Sequence, residues 1–207
     1  IAIDYEDLQT TSSASKGLKK QKGAYFDTYF NYGLIYDKRN KTYQPDEGYR
    51  HNFNQELPII SESYEILNSF ETERYQKISN VITKIGLSGK AINTLNNTDV
   101  RISKRLTIPE KKLRGFESGK VGPVDNFDYI GGNYITTVNF HATLPEILPS
   151  FQNLDMSFFI DAANIWGVDY DSKIDDSNKI RSATGIAFNI FTPIGPLNFS
   201  LAQPITK

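Results

Sequence analysis

Residues able to do chemistry are few and scattered in this chain. Its two histidines, His51 and His141, fall on different segments, and neither stands in a metal-ligand spacing such as H-E-x-x-H. There is no cysteine, which removes disulfides and thiolate metal sites. No nucleophile elbow, P-loop or dinucleotide fingerprint is present. The acidic run DYDSKIDD at Asp169–Asp176 offers oxygens but lacks the D-x-[DN]-x-[DN]-G order of a calcium loop, and reads as a solvated loop. Neither a metal nor a cofactor is expected. What remains is LRGFESGKVGP, from Leu113 to Pro123. Arg114 brings five donors in a rigid, permanently charged fork that can hold a carboxylate bidentately. Gly115 allows positive φ and close approach to a wall, and Phe116 supplies an apolar anchor. This is the chemistry of docking, not of bond breaking. The stretch lies in a polar segment from about 95 to 132, and loops beyond about 12–15 residues are usually functional or disordered.

The elements that must position such a loop have period two. In YITTVNFHATL, Tyr134, Thr136, Val138, Phe140, Ala142 and Leu144 alternate with polar Thr137, Asn139, His141 and Thr143. LDMSFFIDA sets Leu154, Met156, Phe158, Ile160 and Ala162 against Asp155, Ser157 and Asp161. VITKIGLSGKA repeats the pattern, with Lys84, Ser88 and Lys90 on the polar side. Each is a two-faced strand. Further strands are expected at Ala24–Tyr36, Gly48–Leu57, Ser63–Tyr75, Lys179–Phe191 and Leu197–Gln203, with a weaker one at Ile1–Leu8. Turns are expected at Asp37–Gly48, Pro145–Asn153 and Pro193–Pro196. No sustained helical period and no long repeat is present. The fold class is all-β, an antiparallel meander of roughly nine strands.

Composition leaves two architectures open. The chain has 207 residues and a formal net charge of −1, which offers no footprint for nucleic acid. The basic run KGLKKQKG, Lys16–Gly23, reads as a solvated loop. No signal peptide opens the chain and no apolar run approaches 18 residues, so a mature or internal segment without a transmembrane helix is expected. Transmembrane strands need only about 9–11 residues with alternate ones apolar, so a mean hydropathy of −0.43 decides nothing. The 12 Tyr and 13 Phe suit both strands and membrane-interface girdles. A soluble β-sandwich or barrel and a membrane barrel with a polar lumen both fit the pattern.

Five motifs in order separate them. LRGF at Leu113–Phe116 resembles the V-R-G-[FY] of the long sixth extracellular loop in the BamA family, the bacterial surface-antigen family of outer-membrane assembly factors. GGN at Gly131–Asn133 (Gly131, Gly132, Asn133) follows. FFIDAAN at Phe158–Asn164 is similar to the family's F-x-D-x-G-N strand. TPIGPLNFSLAQP, with Gly195 and Pro196, is similar to its P-x-G-P-L-x-F-S-x-A-x-P segment, and YDKRNKTYQPDEG resembles its Y-D-x-R-N…P-x-x-G turn. The resemblance covers nearly the whole chain. Departures are Ala163 where the family often has Gly, and His141 near a position where many members carry Glu.

The resemblance implies part of a larger, sixteen-stranded transmembrane barrel in the bacterial outer membrane, with residues 1–207 covering about nine strands and without counterparts for the POTRA domains or the final strand. It implies that the loop folds into the lumen and docks on the inner wall. Asp161, on the polar face of its strand, is the expected partner of Arg114, with Phe159 and His141 beside it. It implies a non-enzymatic factor that folds and inserts β-barrel proteins. Partners would be client outer-membrane proteins, accessory lipoproteins and the lipid bilayer, with no nucleic acid. A secretion pore of the same superfamily shares the Arg-Gly-Phe loop and the F-x-D strand. An incomplete barrel would also leave open edges through which copies could self-associate.

Overall fold

A computed structural model describes residues 1–145, 154–171, 173–174, 179–193 and 195–206. Eleven strands follow in chain order: β1 (Ala2–Leu8), β2 (Gly23–Asp37), β3 (Gly48–Ile60), β4 (Glu65–Ile78), β5 (Val81–Thr94), β6 (Val124–Asp125), β7 (Asp128–Tyr129), β8 (Tyr134–Leu144), β9 (Leu154–Trp166), β10 (Arg181–Thr192) and β11 (Gly195–Thr206). Nine form one antiparallel sheet in the order β1-β2-β3-β4-β5-β8-β9-β10-β11, while β6 and β7 make a small hairpin inside the long loop. The meander and the nine strands agree with the sequence pattern. Several strands run longer than their periodic stretch: β3 continues to Ile60, β5 to Thr94 and β9 to Trp166. Main-chain pairing carries them past the point where side-chain alternation stops. Residues 146–153 of the expected turn at Pro145–Asn153 and part of the run Asp169–Asp176 lie outside the described residues.

The basic run is a correction. It is not wholly a solvated loop, because Lys16–Lys20 forms one helical turn (α1) capped by the Ser15 hydroxyl, which accepts from Leu18 N at 3.3 Å. Gln21 behind it is buried and holds the base of the long loop, accepting from Ile102 N at 2.7 Å.

The two faces of the sheet decide between the architectures. Phe158 and Ile160 are 50 % and 51 % exposed, whereas Ser157 and Asp161 on either side of them are 2 % and 0 % exposed. On β8, Val138 and Phe140 are likewise exposed while Thr137 and Asn139 are buried. The apolar face looks outward and the polar face is covered. A soluble sandwich requires the reverse, because its driving force is removal of apolar surface from water. The polar face is covered by the segment between β5 and β8. That segment is more ordered than its sequence suggests, with 3₁₀ turns at Ile102–Lys104 and Glu110–Lys112. Its apolar residues Ile108, Leu113 and Val121 pack on Ile135, Ala163 and Ile165 of the wall, with Leu106 and Phe116 against them.

Connection lengths orient the sheet. At one end the chain passes through 9–22, 61–64, 95–133 and 167–180; at the other through 38–47, 79–80, 145–153 and 193–194. Outer-membrane barrels carry their longer loops outside and short turns on the periplasmic side. The first end is therefore the extracellular one.

Candidate functional site

The docking wall is two cross-strand rows on the covered face. One row pairs His141 on β8 with Phe159 on β9, then Gly185 on β10 and Ala202 on β11. The next pairs Asn139 with Asp161, then Ala183 and Pro204. Large or charged residues occupy β8 and β9, and small ones β10 and β11. The rows therefore form a step into which a loop can settle.

Arg114 settles there. Its Nε donates to Asp161 Oδ2 at 2.7 Å, its Nη2 to Asp161 Oδ1 at 2.8 Å, and its backbone N to Oδ2 at 3.2 Å. Asn139 Nδ2 donates to the same Oδ1 at 2.7 Å and also to Lys112 O at 2.8 Å. The fork geometry is what a planar guanidinium supplies and an ammonium does not. Beneath it lies Phe159, whose ring centroid is 3.4 Å from the guanidinium carbon, a cation–π stack. The remaining face of Arg114 Nη2 meets His141 Nε2 at 3.2 Å. A guanidinium can only donate, so this contact requires Nε2 as acceptor and the ring proton on Nδ1.

The neighbours of Arg114 divide the work. Leu113 is buried in the loop's own apolar cluster and Phe116 packs at its margin, so Leu113 is the deeper anchor. Gly115 has φ +83°, and a Cβ built there would stand 3.0 Å from Ala202 Cβ. The small β11 residue and the glycine thus meet at van der Waals limit. Gly131, Gly132 and Asn133 lie elsewhere, where the loop returns to β8. Gly132 bridges Leu106 as an antiparallel pair, and Asn133 Nδ2 donates to Asp169 Oδ1 at 2.5 Å. Gly195 and Pro196 open β11 at the periplasmic end and are not part of the docking wall.

Gly185 serves the site from β10, beneath the Phe159 ring. A Cβ there would stand 2.0 Å from Leu201 O and 2.6 Å from Phe159 Cζ. Gly185→Val is therefore expected to tilt the Phe159 ring or part β10 from β11, and to destabilise the protein by about 1–3 kcal/mol, the usual cost of overpacking. Thermal unfolding of the detergent-solubilised protein measures it. An unchanged midpoint would mean that this row is not packed as described.

The sequence did not announce a second charged cluster at the extracellular end. Arg101 is almost fully buried and donates Nε and Nη2 to the two Glu65 oxygens at 3.2 Å each, and Nη2 also to Asp27. Ser61 Oγ donates to Asp27 at 2.7 Å, and the guanidinium lies 4.5 Å from the Tyr25 ring centroid. Burial pushes the Arg101 guanidinium toward neutrality, but its hydrogen bonds to Glu65 and Asp27 more than offset this and hold it charged. Lys104 pairs with Asp4 at 2.7 Å, and Lys112 with Glu71. The loop is thus fixed to β1, β2 and β4 as well as to β8 and β9. The available signal was alternation: Asp27 and Glu65 fall on the covered face, where a buried acid calls for a cation.

An outward apolar face, a covered polar face and a long loop latched across the inside define the class: a transmembrane β-barrel of the outer-membrane type, with an internal loop. No helix among the described residues is long and apolar enough to cross a membrane, which says nothing of strands. The chain belongs to the Omp85 superfamily, whose domain model matches residues 2–207. Its place is the bacterial outer membrane. It is 24 % identical over 200 residues to the outer membrane protein assembly factor BamA of Neorickettsia risticii, covering 94 % of this chain and 27 % of that protein. It is 28 % identical over 124 residues to the factor of the same name from Neisseria meningitidis serogroup B, covering 46 % of this chain and 15 % of that one. The fold is similar to the crystal structure of BamA from Haemophilus ducreyi lacking POTRA domains 1–3. There the TM-score is 0.80 at 24 % identity, over 89 % of this chain and 40 % of that one. The chain thus spans about a quarter of the length of the first of these relatives.

Proposed function

We propose that residues 1–207 are the loop-holding part of an outer-membrane assembly factor that folds and inserts β-barrel proteins without enzymatic chemistry. The observation that carries this reading is the Arg114–Asp161 latch on the β8–β11 wall, supported by the assembly-factor names of the relatives. Client outer-membrane proteins and accessory lipoproteins are the proposed partners. The latch sets the loop as a strut between opposite parts of the sheet. The work on a client is done by main-chain pairing at a strand edge, the β-augmentation mode of recognition. In the isolated segment β1 and β11 are the two sheet edges, and unpaired edges invite pairing with another copy.

The test is complementation. Cells depleted of their own assembly factor receive the complete protein that carries this sequence, and heat-modifiable client barrels in the outer membrane are counted. The wild type is expected to restore them and Asp161→Asn to restore markedly fewer, at equal amounts of the factor. Secretion of a cognate substrate without restoration of client barrels would overturn the assembly reading in favour of a translocation pore.

A further inference from the structure

From β2 to β10 the outward face of the sheet carries one charge where its composition would allow many. Registers fix which residues look out: Tyr49, Arg74, Ile85, Phe140 and Ile160 form one cross-strand row, and Tyr36, His51, Thr72, Leu87 and Val138 the next. Over β2 to β10, the outward positions of the described residues hold no Asp, Glu or Lys, and Arg74 as their single Arg. A cation on the lipid side of a barrel costs about 2–4 kcal/mol at the midplane and about 0–1 near the interfaces. Arg74 obeys that rule. It stands near the end of β4, beside the connections 38–47 and 79–80 on the periplasmic side. Among the described residues it forms no ion pair.

Its surroundings are built for an amphiphile. A groove of about 760 Å³ is lined by Tyr36, Tyr49, His51, Thr72, Arg74 and Lys77, and also by the carboxylate-bearing Glu47. The rings form a connected cluster, with Tyr49–His51 centroids 5.2 Å apart and Tyr36 stacked on His51 at 6.2 Å. His51 Nδ1 lies 2.8 Å from Thr72 Oγ1, which fixes the ring, and Lys38 Nζ sits 5.7 Å over Tyr36. Toward the bilayer interior His51 stacks on Phe70, and Ile85 continues the apolar surface. Cations and phenol hydroxyls at the interface and apolar surface above them match a phosphate with acyl chains attached.

We propose that this groove binds the phosphate headgroup of a glycerophospholipid in the periplasmic leaflet, with Arg74 as the principal anion ligand. The acyl chain lies along Phe70 and Ile85. The proposal rests on the outer-membrane placement and not on the assembly role, so it stands or falls separately.

The experiment uses the complete protein in mild detergent, titrated with phosphatidylglycerol and followed by native mass spectrometry. Inorganic phosphate is titrated in a parallel arm. Arg74→Gln is expected to weaken phosphatidylglycerol binding about fivefold, the worth of one basic residue at a charged lipid surface, and Arg74→Lys to retain most of it. Because Arg74 is exposed, neither variant should disturb folding, and an unchanged unfolding midpoint checks this. Equal lipid retention by wild type and Arg74→Gln would overturn the site. Displacement of the lipid by millimolar inorganic phosphate would overturn the lipid as its occupant.

Discussion

Arg114→Ala is expected to lower the stability of the docked state by about 3–5 kcal/mol, the loss typical when one partner of a buried ion pair is removed. Asp161 has no exposed surface, and in the variant its carboxylate would keep only the Asn139 amide among its side-chain donors. The cation–π stack on Phe159 goes as well. Arg114→Lys should recover little, because an ammonium cannot place two donors on Oδ1 and Oδ2 while lying flat on a ring. The measurement is limited proteolysis of the complete protein at the loop, together with its unfolding midpoint. Faster cleavage between Leu106 and Val121 with the sheet still heat-modifiable is the expected result. A loop as resistant as that of the wild type would mean that the apolar cluster around Leu113 holds it unaided.

The second large effect is expected at the other end of the loop. Arg101→Met removes the one guanidinium between Asp27 and Glu65, two carboxylates that are themselves almost fully buried. The variant leaves two like charges in a covered site, and a cost of about 3–5 kcal/mol follows from breaking a buried pair. Neutralising both acids in the same chain, Asp27→Asn with Glu65→Gln, should return most of that stability, because amides keep the shape and remove the repulsion. The readout is again the unfolding midpoint, compared across the single variant, the double acid variant and the triple. If Arg101→Met proves harmless, the acids are neutral in the folded protein and the cluster is not an ion-pair anchor. If the triple is no better than the single variant, packing of the long side chain against Tyr25 outweighs its charge.

These two anchors were unequally legible. Arg114 and Asp161 could be paired from sequence because each stands in a motif and Asp161 falls on the polar face of an alternating strand. Arg101 stands in DVRIS, a stretch with no periodic neighbour, and its partners lie 74 and 36 residues away on other strands. Long-range pairing of that kind leaves no local signal. Alternation located the nine strands well, since two-faced strands look alike whichever face is wet. For the same reason it could not say whether Phe158 or Ser157 meets the solvent. That was settled by the loop, whose Ile108, Leu113 and Val121 cover the polar face and leave the apolar one outside. The buried Gln21 was missed because a glutamine in a lysine-rich run carries no mark of burial. Its role depends on Ile102, far along the chain.

The central claim is that Arg114 and Asp161 act as one unit. A double-mutant cycle tests it most directly: Arg114→Ala, Asp161→Ala, the pair together and the wild type, each compared by unfolding midpoint in the complete protein. Residues in one buried network couple by about 0.5–3 kcal/mol, and the bidentate bond with its stack belongs at the upper end of that range. The expected result is a double variant much less destabilised than the sum of the two single ones. Additive losses, with no coupling beyond error, would contradict the latch.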